Sequence, residues 1–216
     1  MFELILFDLD GTLTDPKEGI TNCVRYALES FGIIEEDEKT LLKFIGPPLY
    51  DSFRGLYGFS ESDAISAVNK YRERFQKVGI FENNIFPDTE KTLFRLKKAG
   101  KKVALATSKP YVYAKRILEY FEIQKYFDYA VGAELDGSRG YKDEVIREVL
   151  RLSKEDNLSK VVMIGDREND IFGAKKCGIA SIGLNCGYAE ENELQKAGAD
   201  FIFNNLTEAA DFLLNI

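Results

Sequence analysis

No histidine and no tryptophan occur among the 216 residues of this chain. Without histidine, Ser-His-Asp and Cys-His nucleophiles are excluded, and so is imidazole ligation of a metal. Any catalysis must rest on carboxylates, lysines, hydroxyls and hard cations held by oxygen. Cysteine is scarce as well. Cys23, Cys177 and Cys186 are an odd, scattered set without CxxC spacing, which argues against a disulfide framework or a zinc site. A reducing, cytoplasmic setting is the expectation. No apolar run approaches the ~20 residues of a membrane span, and no basic stretch precedes an apolar one near residue 1. The net charge of −7 and the lack of a Lys/Arg-rich run argue against a nucleic-acid-binding face.

What is present is a globular composition, 45% apolar and 30% charged, long enough for one core or a core with an accessory domain. Residues 4–7 (Leu-Ile-Leu-Phe) read as a buried strand, and the runs 103–106, 161–164, 180–184 and 201–203 repeat the pattern, with 129–131 weaker. Helical segments such as 88–99 and 168–176 lie between them and run up to glycines. This alternation predicts an α/β fold: a parallel sheet with helices on both faces.

Residues 16–84 break that rhythm. Asp15-Pro16-Lys17-Glu18 reads as a helix start, with Asp15 as cap and Pro16 at the first helical position. Ile20, Val24, Ala27, Leu28 and Phe31 follow at helical spacing. A later helix begins near Ser60 and carries Ala64, Val68, Tyr71, Phe75 and Val78 on one face. The expected organisation is therefore a core of 1–15 and 85–216, interrupted by an all-helical domain over 16–84. A block inserted through two neighbouring connections is well placed to hinge as a lid.

The densest chemical signal is Asp8-Leu9-Asp10-Gly11-Thr12, directly after the first strand. Ligands of open α/β sheets bind beyond the carboxyl ends of strands, and strand alternation points Asp8 and Asp10 the same way. A calcium loop would need a preceding helix and a Glu at its twelfth position, which here is Gly19. Gly165-Asp166-Arg167-Glu168-Asn169-Asp170 follows the strand 161–164 in the same manner. Its aspartates could merely cap a helix, but coupled with Asp8 and Asp10 they form a carboxylate cluster that a cation must neutralise. Oxygen-only ligands make Mg²⁺ the natural choice. Thr107-Ser108-Lys109-Pro110 ends the strand 103–106. It is equally a turn into a helix or a phosphate cradle of hydroxyl and backbone N–H groups. Lys142, taken alone, reads as a surface lysine.

Taken in this order, Asp8–Thr12, Thr107, Lys142 and Asp166/Asp170 resemble the motifs of the haloacid dehalogenase superfamily, over nearly the whole chain. The chain looks most similar to its phosphoglycolate phosphatase-like members, which carry a small helical cap on a Rossmann-like core. The resemblance implies a Mg²⁺-dependent phosphatase acting on a small phosphorylated metabolite. Asp8 would be the nucleophile and Asp10 the general acid and base. Thr107, Ser108 and Lys142 would bind the phosphoryl oxygens. Asp8, Asp10 (through its carbonyl) and Asp166 would hold the metal, with Asp170 supporting them. The superfamily's dehalogenases lack the second aspartate, so Asp10 argues against that chemistry. Asp143 stands where many relatives place proline after the lysine, which leaves the orientation of Lys142 open. A β-phosphoglucomutase-like phosphomutase, a nucleotidase or a pyrophosphatase are the alternatives, and intact Asp8 and Asp10 count against a non-catalytic binding protein. Specificity is expected in the inserted domain, where Gly46-Pro47-Pro48-Leu49 forms a rigid turn near Lys43 and Arg54. No coiled-coil repeat or sticky strand is evident, so a monomer or weak dimer is expected.

Overall fold

The computed structural model describes residues 1–215; Ile216, the last residue of the expected core, lies outside the described residues. Strand β1 (Leu4–Phe7) is followed by the short β2 (Thr14–Asp15). Helices α1 (Lys17–Glu29), α2 (Glu38–Leu42), α3 (Leu49–Tyr57) and α4 (Glu61–Arg74) come next, then a π-helical turn over Phe75–Gly79 and the short β3 (Asn84–Ile85). From there helices and strands alternate: α5 (Thr89–Lys98), β4 (Lys102–Pro110), α6 (Tyr111–Tyr120), β5 (Tyr129–Ala133), α7 (Lys142–Ser153) and β6 (Val161–Gly165). The chain continues through α8 (Glu168–Cys177), β7 (Ala180–Leu184), α9 (Glu193–Ala197), β8 (Phe201–Phe203) and α10 (Leu206–Asn215). By its contacts the chain forms two compact units, one of Met1–Asp15 with the segment from Ile85 onward, the other of Pro16–Asn84.

In the first unit six strands form one sheet in the order β5-β4-β1-β6-β7-β8, and every pairing is parallel. Leu6 lies opposite Ala104 on one side and Met163 on the other. Leu4, Leu6, Ala104, Ala106, Val161 and Met163 pack with Val145, Ile146 and Val149 of α7 and with Ala174 of α8. The alternate residues Ile5, Phe7, Val103, Leu105, Val162 and Ile164 are buried as well. A sheet covered on both faces has no use for polar alternation, which is why its strands read as unbroken apolar runs. The chain leaves β1 for β4 on one side and later returns to β6 on the other. That makes the end of β1 the topological switch point, where such sheets open a crevice.

The second unit departs from expectation in detail. Asp15 does not cap α1: it belongs to β2, and Pro16 occupies the cap position without a side-chain hydrogen bond. The Asp15 carboxylate is instead engaged by Tyr188. Ala64, Val68, Tyr71 and Phe75 are buried as the periodicity predicts, whereas Val78 is 48% exposed. It falls in the π-turn, whose extra residue per turn rotates the later positions off the 3.6-residue stripe. The pairing of β2 with β3 was not anticipated either, because two-residue strands carry no periodicity. Among the described residues no helix is long and apolar enough to cross a membrane.

Two caps of this unit are built from local side chains. Asp37 accepts from the N–H groups of Lys39 (3.1 Å) and Thr40 (3.2 Å), and Ser60 accepts from that of Asp63 (3.1 Å). Asp37→Ala and Ser60→Ala should each lower the midpoint of chemical denaturation through loss of an N-cap, while Asp15→Ala should leave α1 helicity unchanged.

Candidate active site

Adjacent strands β4, β1 and β6 deliver Thr107, Asp8 and Asp166 to one end of the sheet: Asp8 and Asp166 follow the last residues of β1 and β6, and Thr107 lies in β4 two positions past Leu105, the last partner of β1. Gly11 and Gly187 bring backbone against the Asp166 carboxylate: a Cβ on either would lie 2.2 Å from its Oδ2. Thr12 Oγ1 donates to Asp166 Oδ1 (3.0 Å) and the Tyr188 N–H donates to Oδ2 (2.8 Å). The Asp166 side chain is thereby fixed from both sides.

Lys142 opens α7 and is 4% exposed. Its Nζ lies 2.8 Å from Asp8 Oδ1 and 2.8 Å from Asp170 Oδ1, and it donates to the Ala106 carbonyl (3.0 Å). The orientation left open by Asp143 is thus inward. Burial alone would lower the Lys142 pKa, but the Asp170 and Asp8 charges outweigh it and hold the ammonium above its ordinary range. Asp170, at the start of α8, accepts from the Arg167 N–H (3.1 Å) and stands in the cluster with Asp8 and Asp166. Thr107 is buried, and its Oγ1 accepts from the Lys109 N–H (3.2 Å). Ser108 is half-buried and makes no hydrogen bond to the carboxylates among the described residues.

One residue escaped the sequence reading. Lys109 Nζ lies 2.5 Å from Asp10 Oδ2, with the two side chains only 6% and 10% exposed. Extended backbone places residues two apart on the same side, so Thr107 and Lys109 arrive together. A lone lysine in a turn-like motif gave no other signal. Burial raises the pKa of Asp10, with Lys109 opposing it, and the net shift is upward.

The electrostatics do not close by themselves. When all four buried carboxylates (Asp8, Asp10, Asp166 and Asp170) are ionised, the two ammonium groups leave two negative charges, the charge of one divalent cation. Carboxylate oxygens of Asp8, Asp166 and Asp170 lie within 4.8 Å of one another. Oδ1 of Asp8 and of Asp170 meets the Lys142 ammonium at 2.8 Å, and Oδ1 of Asp10 accepts no hydrogen bond among the described residues. Hard, oxygen-only, under-satisfied and negative, this donor set fits a divalent cation of the Mg²⁺ or Ca²⁺ type. Burial, followed by the charges of Asp170 and Asp8, pushes the Asp166 carboxyl up to about 8.

Residues 5–184 match the family model described as haloacid dehalogenase-like hydrolase. The chain belongs to that family. A 5'-nucleotidase of Pseudomonas aeruginosa is 47% identical over 88% of this chain and 86% of its own. A phosphoglycolate phosphatase of Vibrio parahaemolyticus is 28% identical, covering 95% of this chain and 93% of its own. The crystal structure of a "predicted phosphatase" from Clostridium acetobutylicum superposes with a TM-score of 0.97 at 43% identity, over 100% of both chains. The buried acidic cluster of this haloacid dehalogenase-like hydrolase therefore sits on a sheet shared closely with relatives named as phosphatases.

Two outcomes follow from the charge imbalance. A carboxyl raised from 3.8 to about 8 binds its proton more tightly in the folded state, so the stability it contributes is present at low pH and lost as pH rises through that window. The melting temperature of the cation-free protein should fall between about pH 4 and about pH 8, Asp166→Asn should flatten the fall, and added Mg²⁺ should restore only the wild type. Lys109→Met leaves the buried Asp10 carboxylate unpaired and should destabilise the protein by about 3 kcal/mol, with the loss largely recovered in the Lys109→Met/Asp10→Asn double variant.

Proposed function

We propose that the protein is a Mg²⁺-dependent phosphatase that hydrolyses a small phosphomonoester through an aspartyl-phosphate on Asp8. The observation that carries this reading is the pairing of two differently served carboxylates at one strand end. Asp8 lies against a fixed ammonium, Lys142, and beside Asp166 and Asp170. Asp10 is buried two residues on, with its pKa raised toward that of a proton donor.

In the first step an Asp8 carboxylate oxygen forms a bond to phosphorus while the ester P–O bond breaks, and the departing oxygen takes the Asp10 proton. In the second step Asp10 removes a proton from the water that attacks phosphorus. The P–O bond to Asp8 then breaks, releasing phosphate and restoring the carboxylate. Lys142 and Thr107, with backbone N–H groups near Ser108, would bind the phosphoryl oxygens. Asp8, Asp166 and the Asp10 carbonyl would hold Mg²⁺, with Asp170 orienting Lys142 and supporting the set. When bound, the ion would offset the negative charge of the phosphoryl group in an acidic site.

Nucleoside 5'-monophosphates are a second substrate reading beside phosphoglycolate-like esters, favoured by the 47% identity to a protein named 5'-nucleotidase. The helical unit of Pro16–Asn84 would act as the cap that selects among them. A screen of phosphate release over phosphoglycolate, nucleoside monophosphates, sugar phosphates and pyrophosphate, with and without Mg²⁺, separates these. Release should require Mg²⁺ and favour one monoester class; conversion of a sugar phosphate to its isomer without net release would make it a mutase. Asp8→Asn should lower turnover by at least about 10³-fold. Asp10→Asn should lower it by about 10²- to 10⁴-fold while leaving Mg²⁺ binding in place; near-full turnover by either variant would overturn its assigned role.

A further inference from the structure

Tyr188 lies outside every motif and makes two contacts at the site's edge. Its backbone N–H donates to Asp166 Oδ2 at 2.8 Å, and its side-chain hydroxyl donates to Asp15 Oδ1. Asp15 is the last residue of the first unit before the chain passes into Pro16–Asn84. The loop that carries Tyr188 is held close to the carboxylate. Gly187 lets its backbone close on Asp166, since a Cβ there would collide with the carboxylate at 2.2 Å. Further along, Glu193 Oε2 accepts from the Glu190 N–H (2.8 Å), and its Oε1 accepts from Arg167 Nε (2.8 Å) and the Glu168 N–H (2.8 Å). This bracing ties the segment after Tyr188 to the start of α8. A loop anchored at both ends and rigid in its aromatic ring can transmit a displacement of one contact to the other.

We infer that Tyr188 is a positioning residue that joins the Asp166 carboxylate to the linker at Asp15, so that a cation seated at Asp166 also restrains the backbone through Asp15 into Pro16. The inference rests on the cation reading of the site given above. It makes that site a sensor for the connection between the two units: ligation orders Asp166, the Asp166 contact orders Tyr188, and the phenol holds Asp15. The coupling requires the hydroxyl alone; the N–H to Asp166 is present whatever the side chain.

The test is hydrogen exchange of the full chain with and without Mg²⁺, read over residues 13–18 and over 185–190. In the wild type Mg²⁺ should slow exchange in both segments by roughly severalfold. In Tyr188→Phe the slowing over 185–190 should persist, the slowing over 13–18 should fall by more than about half, and the Mg²⁺ affinity by calorimetry should change by less than about threefold. Asp15→Asn, which keeps an acceptor oxygen, should retain the linker response, while Asp15→Ala should lose it with no additional loss in the Asp15→Ala/Tyr188→Phe double variant. Retention of the linker response in Tyr188→Phe would overturn the inference. A wild type in which Mg²⁺ protects 185–190 but not 13–18 would overturn it too and leave the cation site standing. If Mg²⁺ protects neither segment, both the inference and the cation reading fail, and wild-type phosphate release then shows whether the hydrolase reading survives them.

Discussion

Four buried carboxylates at the end of a parallel sheet, answered by two ammonium groups, set the constraint on which the rest of the site depends. A hydrophobic sheet can deliver Asp8, Thr107 and Asp166 to one place because β1, β4 and β6 are neighbours with apolar residues on both faces. It cannot neutralise them. Lys142 is drawn to Asp8 and Asp170 and Lys109 to Asp10, each nearly stripped of water, yet two negative charges remain. Burial then acts on Asp166, whose carboxyl is pushed toward keeping its proton.

Much of this could be read from the chain because the governing patterns are local. Leu4–Phe7 followed by Asp8-Leu9-Asp10-Gly11-Thr12 is a strand and a loop in contiguous residues, and Val161–Gly165 with Asp166 repeats it. The parallel sheet follows from such runs alternating with helices, and the boundaries of the helical block follow from where that alternation stops. Lys142 was identified only by its place in the order of motifs; its inward aim depends on where α7 packs, which no nearby residue encodes.

The unread parts depend on distant or unpatterned contacts. Lys109 is an unremarkable lysine until the end of β4 places it beside Asp10, ninety-nine residues earlier in the chain. Asp15 looked like a helix cap because Asp-Pro-x-Glu is a sound local signal, but a tyrosine 173 positions away claimed its carboxylate. Val78 fell off its predicted stripe because one π-turn, invisible to a 3.6-residue period, rotated it to the surface. In each case a tertiary contact or a backbone irregularity overrode a propensity that was correct in isolation.

The division of labour between Asp8 and Asp10 is the central claim, and trapping the covalent intermediate tests it most directly. An acyl phosphate on a carboxylate is reduced by borohydride to an alcohol, so rapid quenching during turnover followed by reduction and peptide mass analysis reads the attacking residue. The account predicts homoserine at position 8, formed only in the presence of both substrate and Mg²⁺. Reduction at any other carboxylate, or none in an enzyme that is turning over, would contradict it.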